Sequence, residues 1–348
     1  MKRVTAVAVS GGIDSLVAAS LIKETGDDVV GIHFTTGFES GDTDTVYIAG
    51  DMAGSVSRQL GIPVHIMNLE DQFKRYVVDY FVDAYTAGVT PNPCLVCNPL
   101  IKFGVLLDAA KKKGASRLAT GHYAKVEKDH HGIFRLKKGI DPEKDQSYFL
   151  AFLTQSRLSS AYFPLGDLTK DEVKRIAEKK GLFPFSLDES QDICFIRHAS
   201  YGRFLEKRGI APRPGPIVDT KGNVLGRHNG LHLFTIGQRR GINCPAQEPY
   251  YVLRINPTDN SLVVGFKPEL YRNECRVDNI NWVHERPSSP LSVTVRIRYS
   301  HKGATALIEP DSDRSARVKF ESEQPAVTPG QGAVFYQGDE VTGAGWIV

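Results

Sequence analysis

The run Val4–Val9 reads as a short buried strand and leads without a break into Ser10-Gly11-Gly12-Ile13-Asp14-Ser15. Helical periodicity follows at once, over Ile13–Glu24. A strand turned by two glycines straight into a helix is the opening unit of a parallel α/β sheet. The glycines let the backbone approach a ligand closely. The N–H groups at the helix start, with the Ser10 and Ser15 hydroxyls, form a cradle for an anion. The loop lacks the Gly-Lys-[Ser/Thr] ending of a Walker phosphate loop.

The alternation continues. Val29–Phe34 and Pro63–Met67 read as strands, Val46–Leu60 and Asp71–Tyr85 as helices, and Arg117–Thr120 begins another strand. Thr169 and Glu172 form a capping box that opens a helix reaching about Lys180. This pattern predicts a doubly wound parallel sheet, whose ligands bind at the carboxyl ends of the strands. Phe34 and Gly121-His122 fall at such ends. From Gly215 the chain changes to short β runs joined by turns, including Ile217–Asp219, Val224–Leu225, Tyr250–Ile255, Ser261–Val264, Leu291–Tyr299, Ala304–Ile308, Ala316–Phe320 and Ala333–Tyr336. The expected organisation is an α/β domain over 1–200, a small central module over 201–270 and an antiparallel β-barrel-like domain over 271–348.

Five cysteines in 348 residues make no secreted disulfide framework and suit a reducing cytosol. The apolar run before Gly11 is too short for a signal peptide or a membrane span, so a cytoplasmic location is expected. A net charge of +3 hides a local excess: between Arg203 and Arg240 eight basic residues face two acidic ones. Such a patch can attract a polyanion. Two cysteine motifs stand out. In Pro91-Asn92-Pro93-Cys94-Leu95-Val96-Cys97-Asn98, Asn98 reads as a helix N-cap and Pro99 as the first helical residue. Cys97 would then stand just before a helix N-terminus, where thiolate is favoured. The second motif is Ser190-Gln191-Asp192-Ile193-Cys194-Phe195-Ile196. A zinc ribbon would need a second Cys pair. Cys244 and Cys275 lack such a context and read as structural.

The Ser10–Ser15 loop resembles the PP-loop of the N-type ATP pyrophosphatases, which cleave ATP between the α and β phosphates. With the cysteine motifs, Ala119-Thr120-Gly121-His122-Tyr123, Lys144-Asp145-Gln146, Thr235–Gly241, Arg298-Tyr299 and Thr328-Pro329-Gly330-Gln331, the chain resembles the tRNA-specific 2-thiouridylases. The matches run in family order over nearly the whole length. The resemblance implies that ATP, with Mg²⁺ and Asp14 helping to organise it, is bound by Ala8, Val9, Ser10, Gly11, Gly12, Ile13, Asp14, Ser15, Phe34 and Gly121. It implies that AMP is transferred to the C2 oxygen of the wobble uridine, and that a persulfide on Cys194 then displaces AMP. Cys97 would be the partner thiol, releasing the sulfur or closing a disulfide to Cys194. Asn92, Pro93, Cys94, His122, Lys144, Asp145, Gln146, Arg298, Tyr299 and Gln331 match tRNA contacts. The tRNAs for Lys, Glu and Gln would be substrates. A cysteine desulfurase or a relay protein would supply the sulfur, and no membrane is implied.

Position 94 departs from the family, which commonly carries aspartate there. Either the Cys94 thiol takes over that polar role, or Cys94, Cys97 and Cys194 ligate a [4Fe-4S] cluster whose open iron carries the sulfide. Thr35–Asp44 also lacks the tryptophan and acidic cluster expected of the family. Two other functions compete: a PP-loop synthetase without thiol chemistry, such as an amidotransferase-type enzyme or a lysidine-type ligase, and a non-catalytic RNA-binding or iron–sulfur carrier protein. The thiols argue against the first. The second predicts that Asp14 and Ser15 are dispensable.

Overall fold

The computed structural model describes residues 2–38, 45–185, 193–196 and 200–348; Ser190, Gln191 and Asp192 of the second cysteine motif lie outside the described residues. The first half supplies strands β1 (Val4–Ala8), β2 (Asp28–Thr35), β3 (Val64–Asn68), β4 (Arg117–Ala119), β5 (Ala124–Lys128), β6 (Phe134–Lys138) and β7 (Ala161–Tyr162). Five of them form a parallel sheet in the order β3-β2-β1-β4-β7. The chain builds outward from β1 in one direction and then restarts at β4 on the other side. The switch point thus lies between β1 and β4, where a doubly wound sheet opens a crevice for a ligand.

Helices cover both faces of the sheet. Helix α1 (Ile13–Glu24) buries Leu16, Val17 and Ile22. They share a core with Met52, Val56 and Leu60 of α2 (Thr45–Leu60). On the opposite face the core includes Phe73, Phe81, Ile101, Phe103 and Leu107. The central helix of that face starts earlier than the sequence suggested. Helix α3 (Pro93–Cys97) is capped by Asn92, whose side chain accepts from Leu95 N, with Pro93 in the first turn. The helix runs on through Asn98–Leu106 in π-helical form and ends with Leu107–Lys112. By length and composition Pro93–Lys112 could cross a membrane, but more than half of its apolar window is buried in the protein. Helix α4 (Lys170–Lys180) carries the complete Thr169–Glu172 capping box and stops at Gly181 in the left-handed region.

After a short helix at Tyr201–Lys207, the described residues of the second half are mainly strands joined by turns and two short 3-10 segments. A four-stranded sheet joins β8 (Gly215–Val218), β9 (Val224–His228), β10 (Tyr251–Asn256) and β11 (Ser261–Gly265) in the order β10-β11-β8-β9. The last six strands are β12 (Tyr271–Trp282), β13 (Leu291–Arg296), β14 (Ala304–Pro310), β15 (Ser315–Pro325), β16 (Gly332–Gln337) and β17 (Glu340–Ile347). Because β12 pairs with both β15 and β17, these six close into an antiparallel barrel. The hairpin β5–β6 from the first half attaches to this barrel, with Lys137 opposite Glu340. Arg135 secures it through ion pairs to Asp129 (2.7 Å) and Glu340 (2.9 Å).

Candidate active site

The loop after β1 has the form of an anion cradle. Ser10 N donates to Ser15 Oγ (3.2 Å), Ser15 Oγ donates to Gly12 O (2.9 Å), and Gly12 N approaches Ser10 Oγ (3.4 Å). Gly11 has φ +78°, and a Cβ there would lie 2.8 Å from Met52 Cγ. Across the switch point, a Cβ on Gly121 would lie 2.9 Å from the backbone carbon of Asp14. Only glycine lets β4 come this close to the start of α1. Ala8 and Val9 lead into the loop, and Val9 N donates to Ile32 O (2.9 Å). Phe34, near the end of β2, packs partly buried against the core. Asp14 is already engaged: Lys170 Nζ holds both carboxylate oxygens (2.8 and 2.9 Å), and Tyr123 Oη donates to one of them (2.7 Å). Sequence reasoning missed Lys170, whose only signal was its place behind a capping box.

His122 follows Gly121 and links the cradle to the cysteines. Lys102 Nζ donates to His122 Nε2 at 3.4 Å, which leaves Nδ1–H to donate to Thr120 Oγ1 at 2.6 Å. Burial, then the neighbouring Lys102 ammonium, push the His122 imidazole well below the usual histidine range. Lys102 also acts on Cys94 and Cys97, opposing the rise that burial causes in both. In an α-helix, residues five apart such as Cys97 and Lys102 would point about 140° apart. The π-helical segment that starts at Asn98 bonds each N–H to the carbonyl five residues back, which brings them onto one face. No α-helical pattern would have revealed Lys102.

Cys97 does not stand before a helix N-terminus, as the sequence suggested; it is the last residue of α3. Burial outweighs Lys102 and pushes its thiol up to about 12; Cys94, in the first turn, is pushed up to about 11. Cys194, which is exposed, raises both thiols further, so its segment approaches α3. All five cysteines are thiols in this structure. Among the described residues, no three His, Cys, Asp or Glu side chains converge to hold a metal ion.

Several side chains expected to meet tRNA prove to be committed within the protein. Asp145 is buried and pairs with Arg296 (2.9 Å) while accepting from Ser147 N (3.0 Å). Gln146 Oε1 accepts from Tyr123 N (3.1 Å). His122 is only 9% exposed. Gln331 donates to Thr90 O and Pro91 O, beside Asn92 and Pro93. Lys144, Arg298 and Tyr299 remain partly exposed, and Tyr299 stacks on Phe149 with centroids 4.4 Å apart. Arg239 and Arg240 of the basic stretch are exposed.

Residues 2–198 match the family described as the tRNA methyl transferase HUP domain. Residues 202–266 match the corresponding PRC-barrel domain, and residues 272–347 the aminomethyltransferase beta-barrel domain. A tRNA-specific 2-thiouridylase MnmA of Desulfosudis oleivorans is 50% identical over 346 residues, 98% of this chain and 94% of that protein. The protein of the same name from Geotalea uraniireducens is 44% identical over 99% of this chain and 95% of its own. That from Lachnoclostridium phytofermentans is 42% identical over the whole of both. Among solved structures, U34-tRNA thiolase NcsA from Methanococcus maripaludis with its [4Fe-4S] cluster is 24% identical over 56% of this chain and 63% of that one. Its TM-score is 0.37, too slight a likeness to bear on a cluster here.

Proposed function

Because this chain belongs to the tRNA-specific 2-thiouridylase family and is therefore a tRNA sulfurtransferase, we propose that it converts the wobble uridine of tRNA to 2-thiouridine through a persulfide on Cys194. What supports this reading is that Lys102, which contacts His122 (3.4 Å) next to Gly121 and the anion cradle, also acts on Cys94 and Cys97, and that Cys194 acts on the same two thiols. A carbonyl oxygen is a poor leaving group, whereas AMP is a good one. The C2 oxygen attacks the α-phosphorus of ATP held at Ser10–Ser15, and pyrophosphate leaves. The terminal sulfur of the Cys194 persulfide then attacks C2 and expels AMP. Cys97 next attacks Sγ of Cys194. The persulfide S–S bond breaks, its electron pair stays with the sulfur on the base, and a Cys97–Cys194 disulfide remains for an external thiol to reduce.

Ser10 and Ser15 hydroxyls and the backbone N–H groups of the loop fit a phosphate. Mg²⁺ accompanying ATP would share Asp14 with Lys170. The three cysteines do not present a ready metal-binding group, and the persulfide route asks for none. Lys144, Arg298 and Tyr299 are among the expected tRNA contacts that solvent reaches, whereas Pro93, His122 and Asp145 are buried. The wobble base is unpaired, so splaying it into a pocket costs little. The tRNAs for Lys, Glu and Gln are the expected substrates, with a cysteine desulfurase or a relay protein as donor in the cytoplasm.

Incubation with ATP, a cysteine desulfurase with cysteine as donor of persulfide sulfur, a thiol reductant and unmodified tRNA should retard the tRNA in a mercury-containing gel. A shift that needs no ATP, or no shift at all, would overturn the reading. Iron bound after anaerobic purification, lost in Cys94→Ala together with activity, would favour the cluster instead.

A further inference from the structure

The segment Pro91-Asn92-Pro93 has a local problem that its own sequence cannot solve. Two of its three residues lack an N–H, so it cannot join a ladder, and its carbonyls need donors from elsewhere. The barrel supplies them. Gln331 Nε2 has two hydrogens and meets two carbonyls, Thr90 O at 3.1 Å and Pro91 O at 3.2 Å. Thr90 N donates back to Pro329 O at 3.1 Å. The approach is too close for side chains. A Cβ on Gly330, which has φ +88°, would lie 2.2 Å from Val89 Cγ1, and one on Gly332 would lie 2.5 Å from Leu95 Cδ1. Leu95 is buried between the two cysteines of α3. The turn is fixed in its own domain, because Gly330 N donates to Ile347 O (2.8 Å) and Ile347 N to Gln331 O (2.9 Å).

A second grip lies just beyond α3. Asn98 Nδ2 donates to Cys94 O (3.1 Å) and to Phe149 O (3.0 Å). Phe149 stacks on Tyr299 of the barrel domain. Tyr148 Oη donates to Gly332 O (2.9 Å), which ties this grip back to the same turn.

We propose that Gln331 is a positioning residue for sulfur transfer: from the barrel domain it sets where the helix bearing Cys94 and Cys97 begins, and so where those thiols stand against Cys194 and the activated base. This role stands in place of a direct tRNA contact, since both amide hydrogens are spent on Thr90 O and Pro91 O, and it rests on the thiolation chemistry proposed above. Thiols that must attack a defined sulfur lose rate steeply when displaced by an ångström.

The test is Gln331→Met, which keeps length and loses both donors. The rate of sulfur incorporation into saturating tRNA should fall about ten- to a hundredfold. The KM for tRNA and the first-turnover burst of pyrophosphate from ATP should stay within about twofold, since adenylation precedes the thiol steps. Amide hydrogen exchange over 92–97 should quicken, while exchange in β8 and β11 stays as in the wild type. Gln331→Asn, which keeps the amide but falls one methylene short of the two carbonyls, should reproduce this split and serves if Gln331→Met does not fold. A raised KM with an unchanged rate would overturn the proposal, as would unchanged exchange over 92–97. If the wild-type protein incorporates no sulfur, the functional reading fails, and the exchange measurement still decides the brace.

Discussion

Cys94 and Cys97 sit one turn apart, and burial raises both thiols, while Lys102 opposes the rise. The resting protein therefore keeps them protonated at neutral pH, contrary to the thiolate that a helix-end position suggests. A thiol is alkylated as its thiolate, so the fraction available grows tenfold per pH unit below the pKa. In a Cys94→Ser/Cys194→Ser background, iodoacetamide labelling of Cys97 should still be climbing at pH 10. Lys102→Met should slow it about tenfold at every pH below the pKa, since removing the cation raises the pKa further. Lys102→Arg should keep most of the rate. A plateau below pH 8 in the wild type would contradict the burial argument. The cysteines and the glycine loop were legible because their residue types are scarce and chemically distinctive. Lys102 falls in Ile101-Lys102-Phe103, a stretch that shares the resemblance, but neither it nor Lys170 carries a role there, because lysines are common and only folding brings these two to the site.

The long helix Pro93–Lys112 shows what is and is not written in a local pattern. Its stop is legible, since Lys111-Lys112-Lys113-Gly114 puts basic residues in a last turn ahead of a glycine, and Gly114 does take φ +89°. Its start is not. Asn98-Pro99 resembles a helix opening as well as Asn92-Pro93 does, and the choice is made by the packing of Leu95, which is 1% exposed. Asn92→Ala should therefore cost about 1 kcal/mol in urea unfolding, and Asn92→Gly only a few tenths. Equal stability of all three proteins would mean that the cap is idle. The β5–β6 hairpin was missed for another reason. Its strands AKVEK and FRLKK carry five lysines and arginines between them, and their pairing partner lies some two hundred residues away.

At the scale of the whole molecule, the parallel sheet, the small central sheet and the barrel follow from the change of hydrophobic period near residue 200. The closure of the barrel does not, since it depends on β12 meeting β17. The basic stretch Arg203–Arg240 is distributed over the central region, with Arg239 and Arg240 exposed. If it lies along tRNA phosphates, Arg239→Ala/Arg240→Ala should weaken all tRNAs alike. The slope of log affinity against log salt should then shrink by about two, one for each lost phosphate contact. An unchanged slope would mark these arginines as mere surface.

The pairing of β6 with β17 also bears on how the protein is made. The hairpin edge at Lys137 must wait for Glu340 to leave the ribosome, a gap of roughly 10–40 s at ordinary elongation rates. Through that interval the nearly finished chain carries an unpaired strand edge beside its catalytic half, studded with Arg135, Lys137 and Lys138. Charges on an open edge discourage other strands from adding to it. The lysines that hid the hairpin from pattern reading thus protect a nascent chain until β17 emerges to cover that edge.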